Sequence, residues 1–131
     1  MNLSYMSEVR AALLCAAVLL AGVCVADDLA RPTAAEARTA YDSGAQFVDV
    51  RTDKEWTDGH LKGALHVPVD QVASRAASDL PNKDAPVVLY CHSGKRAQTA
   101  ADTLHQLGYT HVVAMTGGYD DLKAAGYPVV E

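Results

Sequence analysis

The most constraining stretch of the chain is Val87-Val88-Leu89-Tyr90-Cys91-His92-Ser93-Gly94-Lys95-Arg96. Four apolar residues in a row read as a strand buried on both faces. A thiol follows at once, then a glycine and two cations. Beyond them Ala97, Ala100, Ala101, Leu104 and Leu107 recur at spacings of three and four, which predicts an amphipathic helix ending at Gly108. Cys91 therefore belongs to a tight strand-to-helix loop at the N-terminal end of a helix. Unpaired N–H groups and the positive end of the helix dipole converge there and favour anions. A thiol in such a setting is expected to ionise readily, the more so beside Lys95 and Arg96. Cysteine is also a common core residue, but a core cysteine needs no polar, basic loop after it. Cys91 is read as a nucleophile.

Ala11 to Val23 is apolar and uncharged, thirteen residues long, where a membrane span takes about 20. The length suits the apolar region of a secretory leader. Arg10 supplies the positive flank, and Cys24-Val25-Ala26 supplies small residues before a cleavage point. Residues 1–26 are expected to be a signal peptide and residues 27–131 the mature domain, exported to the periplasm and free of the membrane after cleavage. A lipoprotein box is not read, because Ala21-Gly22-Val23 lacks a leucine three residues before Cys24. Glu8 and Arg10 leave together, so the net charge stays at -5. An acidic chain whose basic cluster is Lys95-Arg96 argues against a nucleic-acid partner.

Cys15 and Cys24 fall in the leader, which leaves Cys91 as the single mature thiol. One thiol closes no intramolecular disulfide and makes neither a CxxC redox pair nor a thiolate zinc cluster. The five histidines lack HExxH-type spacing, so no metal and no cofactor are expected. Nothing in the pattern demands more than a monomer.

In chain order, Asp27 to Arg31 leads in, with a short edge strand as one option. Thr33 and Glu36 form a capping box for a helix with Ala37, Ala40 and Tyr41 inward, stopping at Ser43-Gly44. Gln46 to Val50 reads as a strand with Asp49 near its C-terminal end and Arg51 just beyond. Thr52 to Leu61 is polar, with one helical turn around Lys54 to Trp56. Ala64 to Val67 is a short strand stopped by Pro68, and Asp70 is expected to cap a helix carrying Val72, Ala73, Ala76 and Ala77. His111 to Met115 is the last strand, Thr116-Gly117-Gly118 a second sharp turn, Tyr119 to Ala125 a helix, and Gly126-Tyr127-Pro128 the end of the fold. Strands alternating with helices predict an α/β fold: a mainly parallel central sheet, right-handed crossovers, and helices on both faces. Ligands of such sheets bind beyond the carboxyl ends of the strands. Asp49 to Arg51, Cys91 to Arg96 and Thr116 to Gly118 are thus expected on one rim.

The chain resembles the rhodanese family over nearly all of residues 27–131. The resemblance is carried by Phe47-Val48-Asp49-Val50-Arg51, Glu55-Trp56, Gly59-His60-Leu61-Lys62-Gly63-Ala64, the Cys91 to Arg96 loop, and Gly117-Gly118-Tyr119 to Gly126-Tyr127-Pro128-Val129. It resembles small exported single-domain rhodaneses of the phage-shock-protein E type. A single rhodanese-like domain and a sulfurtransferase are what this implies. The Cys91 thiolate would take a sulfane sulfur from thiosulfate, become a persulfide, and pass the sulfur to cyanide or another thiophile. The partners implied are a small-molecule sulfur donor and a thiophilic acceptor. Leu122 stands where many members carry tryptophan, and Glu55 where larger two-domain relatives carry a basic residue.

The loop from His92 to Ala97 offers a ring of N–H groups to the substrate and the leaving sulfite. Gly94 is expected to supply a positive φ, Ser93 a hydroxyl donor, and Lys95 the charge partner of the donor. Arg96 is either a second anion ligand or, preferred here, a brace forked onto Glu55 or Asp49. Asp49, Arg51 and Glu55 are read as supports of the loop. His60 is architectural, His92 the one histidine with a possible role at the site, and His66, His105 and His111 are solvated or satisfied locally. Two other readings stand. One is a rhodanese-like module that binds, carries sulfur or senses redox state without turnover. The other is a cysteine-dependent phosphatase, which uses a Cys-x5-Arg ring where Cys91 to Arg96 gives Cys-x4-Arg.

Overall fold

The computed structural model describes residues 31–131. The expected leader over residues 1–26, its cleavage point and the lead-in from Asp27 to Ala30 lie outside the described residues. The elements run α1 (Arg38–Asp42), β1 (Gln46–Asp49), α2 (Asp53–Asp58), β2 (His60–Leu61), β3 (Leu65–His66), a 3-10 turn (Val69–Gln71), α3 (Val72–Asp79), β4 (Val87–Cys91), α4 (Lys95–Gln106), β5 (Val112–Gly118), α5 (Tyr119–Ala124) and β6 (Val129–Val130). The central sheet has the order β3-β1-β4-β5, and every pair in it is parallel. The expected α/β class is thus observed.

β4 is the middle of the architecture. All five of its residues are buried, and its side chains alternate between two cores as a pleated strand requires. Val87, Leu89 and Cys91 face the core closed by α3 and α4. Val88 and Tyr90 face the core shared with Phe47, Leu61, Met115 and Leu122. The first core rests on small residues: Ala97, Ala100 and Ala101 of α4 are buried, so the helix lies close to the sheet. Completely burying Leu89 and Leu104 stabilises the fold by about 1.5–3 kcal/mol each. α4 ends at Gln106, and the chain turns away at Gly108, whose φ of 94° is open to glycine. Leu107 belongs to the expected apolar stripe but is 38% exposed, because the helix ends at Gln106 and Leu107 is already its C-cap.

Other expectations need correction. The Thr33–Glu36 box does form, with Glu36 N–H donating to Thr33 Oγ1 (3.3 Å) and Thr33 N–H to Glu36 Oε1 (3.2 Å). Regular helix nevertheless spans only Arg38–Asp42. Asp70 caps nothing: Pro68 leads into the 3-10 turn, and Gln71 occupies the N-cap position of α3. Ala73 and Ala77 of α3 are exposed, while Val72 and Ala76 are buried. Thr116 to Gly118 is the end of β5 rather than a turn. The chain also does not end its pairing at Pro128, since β6 lies antiparallel to β2, with Leu61 opposite Val129. Among the described residues no helix is long and apolar enough to cross a membrane.

Candidate active site

The C-terminal ends of β1, β4 and β5 meet on one rim of the parallel sheet. β4 ends in Cys91, which pairs with Gly118 at the end of β5 across a register shift. That pairing depends on glycine. A Cβ at Gly118 would stand 2.3 Å from the Cys91 carbonyl oxygen and 2.2 Å from that of His92.

Cys91 is a free thiol with no exposed surface. The Gly94 N–H donates to its Sγ at 3.0 Å. Gly94 makes this bond from a left-handed conformation, φ 95° and ψ -14°, and stands as the N-cap of α4. The sequence expected a positive φ there, and the reason is now visible: the left-handed turn folds the loop back so that an N–H meets the sulfur. His92, Ser93 and Lys95 are exposed on the outside of the loop. His92 Nδ1 lies 4.0 Å from Asp120 Oδ2, an exposed pair.

Arg96 forks onto Glu55. Nη1 donates to Oε1 at 2.7 Å and Nη2 to Oε2 at 3.0 Å, with each side chain 33% exposed. Hydrogen bonding to Arg96 holds the Glu55 carboxyl well below the usual carboxylate range, at about 2, and Glu55 in turn raises the Arg96 pKa. Glu55 is positioned by its own helix start. Thr52 Oγ1 accepts from the Glu55 N–H (3.3 Å), and Glu55 Oε1 accepts from the Thr52 N–H (3.3 Å). This Thr52–Glu55 capping box was legible in the sequence, although the segment reads there only as a helical turn.

Asp49 and Arg51 pair with each other rather than with Arg96. Arg51 donates from its backbone N–H to Asp49 Oδ1 (2.9 Å) and from Nη2 to Oδ2 (2.6 Å), and both residues are buried. Burial opposes the Arg51 charge, but its hydrogen bonds and attraction to Asp49 outweigh that and raise its pKa. Arg51 Nη2 also donates to the Gly59 carbonyl at 2.6 Å, and its guanidinium lies 4.5 Å from the Tyr119 ring centre. The expected supports thus divide: Glu55 reaches the loop through Arg96, while Asp49 and Arg51 fasten the far end of α2.

Trp56 stacks with two imidazoles, His60 at 3.5 Å and His66 at 4.8 Å between ring centres. Each imidazole nitrogen facing a carbonyl must carry the proton. His60 Nδ1 donates to Trp56 O (3.0 Å) and His66 Nε2 to Arg51 O (2.9 Å). His60 of β2 and His66 of β3 thus both pack on the Trp56 side chain of α2, the helix that carries Glu55. A cleft of about 250 Å³ opens beside the loop, lined by Val50, Thr52, Asp53, Asp70, Gln71 and Arg96 among others.

One contact at the loop has no local signal in the sequence. Arg31 Nη2 donates to the Gly94 carbonyl at 3.0 Å across 63 positions, and also to Met115 O at 3.4 Å.

The family model for the rhodanese-like domain matches residues 33–125. The chain belongs to the rhodanese-like family. This rhodanese-like domain is 35% identical over 105 residues to the thiosulfate sulfurtransferase GlpE of Pseudomonas aeruginosa (strain LESB58), covering 79% of this chain and 92% of that protein. It is 34% identical over 76 residues to the thiosulfate sulfurtransferase PspE of Escherichia coli (strain K12), covering 58% of this chain and 72% of that one. The structure of a rhodanese with anions from E. coli superposes with a TM-score of 0.60 at 32% identity, covering 67% of this chain and 99% of that one.

Proposed function

We propose that this rhodanese-like domain is a thiosulfate sulfurtransferase that works through a Cys91 persulfide. The observation that carries the reading is the Gly94 N–H held on Cys91 Sγ at 3.0 Å, at the N-terminal end of a 12-residue helix. A donor fixed on sulfur favours the thiolate, and the helix end favours the anions that react with it. The names of the GlpE and PspE relatives support the same chemistry.

In the first step the Cys91 thiolate attacks the outer sulfur of thiosulfate. A sulfur–sulfur bond forms to Cys91 as the bond to the sulfonate sulfur breaks, and its electron pair leaves with sulfite. In the second step a thiophile attacks the outer sulfur of the persulfide and the Cys91 thiolate departs; cyanide gives thiocyanate. Both steps move negative charge across one sulfur, so preorganised N–H donors stabilise both. Lys95, exposed on the loop, attracts the dianionic donor. Arg96 is forked onto Glu55 and serves as a brace. Because Cys91 has no exposed surface, the loop around it must open for the donor and the acceptor to reach it.

Thiocyanate formation from thiosulfate and cyanide tests the proposal. Wild-type protein is expected to turn over and Cys91→Ser to be inert. Wild-type protein without turnover, or Cys91→Ser with it, would overturn the reading. A chromogenic phosphoester run in parallel is expected to stay intact.

A further inference from the structure

We propose that Arg31 is a positioning residue for the Cys91 loop, acting through Gly94 and never touching the substrate. The inference rests on the sulfurtransferase reading for its kinetic consequence only. Every polar group of Gly94 is in use. Its N–H meets Cys91 Sγ at 3.0 Å. Its carbonyl accepts the first backbone bond of α4 from Gln98 N–H at 3.0 Å and the Arg31 guanidinium at 3.0 Å. One glycine thus carries the sulfur on one side and a cation on the other.

Glycine needs such a fixture. Without a side chain its backbone is the least restrained in the chain, and a small rotation would take the N–H off the sulfur. A Cβ at Gly94 would lie 2.9 Å from Arg31 Nη2 and 2.8 Å from Thr116 O. The guanidinium therefore fills the space where a side chain would have packed, and it restrains the turn from outside. A hydrogen bond from a charged donor is roughly twice as strong as a neutral one.

Arg31 is itself anchored to β5. Nη2 reaches Met115 O, and the neighbouring Pro32 carbonyl accepts the Thr116 N–H at 3.0 Å. The segment 31–32 is a cross-brace joining the loop to the strand beside it. Arg31 Nε is buried and has no hydrogen-bond partner among the described residues. Packing alone would not favour a guanidinium there, since an unpaired buried donor is costly; the bond to the Gly94 carbonyl is what offsets it.

The test compares wild type, Arg31→Ala and Arg31→Lys. It reads the thermal midpoint, kcat and KM for thiosulfate, and the pH at which iodoacetamide labelling of Cys91 is half-maximal. Arg31→Ala is expected to lower kcat about tenfold, the size of one lost charge-assisted hydrogen bond, with KM unchanged. Its labelling profile is expected to move to higher pH. Arg31→Lys, which keeps a charged donor, is expected to recover part of both. A folded Arg31→Ala protein with wild-type kcat and an unmoved labelling profile would overturn the proposal, even with a lowered thermal midpoint. Should Arg31→Ala fail to fold, Arg31→Gln replaces it, and wild-type kcat with an unmoved labelling profile in that variant would overturn the proposal equally. Labelling uses no sulfur donor, so it tests Arg31 even if wild-type protein shows no turnover.

Discussion

Asp49 and Glu55 are both carboxylates near the rim, yet their loss should have different consequences. Asp49 is completely buried and holds the nearly buried Arg51. Asp49→Ala leaves that guanidinium without its partner, which is expected to cost about 3–5 kcal/mol in urea unfolding. The Arg96–Glu55 fork is partly solvated, so Arg96→Ala is expected to cost only about 1 kcal/mol and to leave the thiosulfate KM unchanged. Equal losses at the two sites would contradict this division. Glu55 also sets a pH dependence. Its pKa falls from 4.5 to about 2 in the folded protein, so the fork's contribution is complete above about pH 4.5 and is lost as pH falls toward 2. The stability gap between wild type and Glu55→Gln should therefore be constant near neutrality and shrink through that acid window. A gap independent of pH down to 2 would show that the Glu55 charge does not stabilise the fold. The Glu55 partner of Arg96 could be named from sequence because a fork calls for a carboxylate and two stood nearby; choosing between them required knowing that Asp49 was already taken by Arg51.

β4, the Cys91 loop and α4 could be read almost residue by residue, because a continuous apolar run, a glycine and an alanine stripe follow one another without ambiguity. β2 and β6 were illegible for the opposite reason. Two residues each carry no periodicity, and their pairing joins His60 to Val130 across the chain. Thr116 to Gly118 misled, since paired glycines usually signal a turn. Here Gly118 is extended and serves close approach of β5 to the Cys91 backbone. The two glycines should therefore differ on substitution. A Cβ at Gly118 meets the carbonyls of Cys91 and His92, whereas one at Gly117 meets the Asp121 side chain, 2.4 Å from Oδ2. Backbone cannot give way as a side chain can. Gly118→Ala is expected to lower the thermal midpoint and abolish turnover, with Gly117→Ala milder on both. The reverse order would show that the β4–β5 junction does not hold the loop. Arg31 lay beyond any such reading, because its partner is 63 positions away and nothing near it in sequence marks the contact.

At the scale of the whole molecule, one parallel sheet gathers the ends of three strands onto a rim and sets a thiol at its centre, beneath a loop closed from three sides by Glu55, Gly118 and Arg31. We further propose that the mature protein is exported and begins at Asp27. N-terminal sequencing of protein from an envelope fraction should start there, and a cytosolic chain retaining Met1 would refute export. The proposed chemistry depends above all on Cys91 accepting a sulfur atom. Intact-mass analysis after exposure to thiosulfate tests this most directly. The mass of the chain is expected to rise by one sulfur atom in wild type, to return on adding cyanide, and to stay unchanged in Cys91→Ser. A wild-type mass unaltered by thiosulfate, or the same increase in Cys91→Ser, would contradict it.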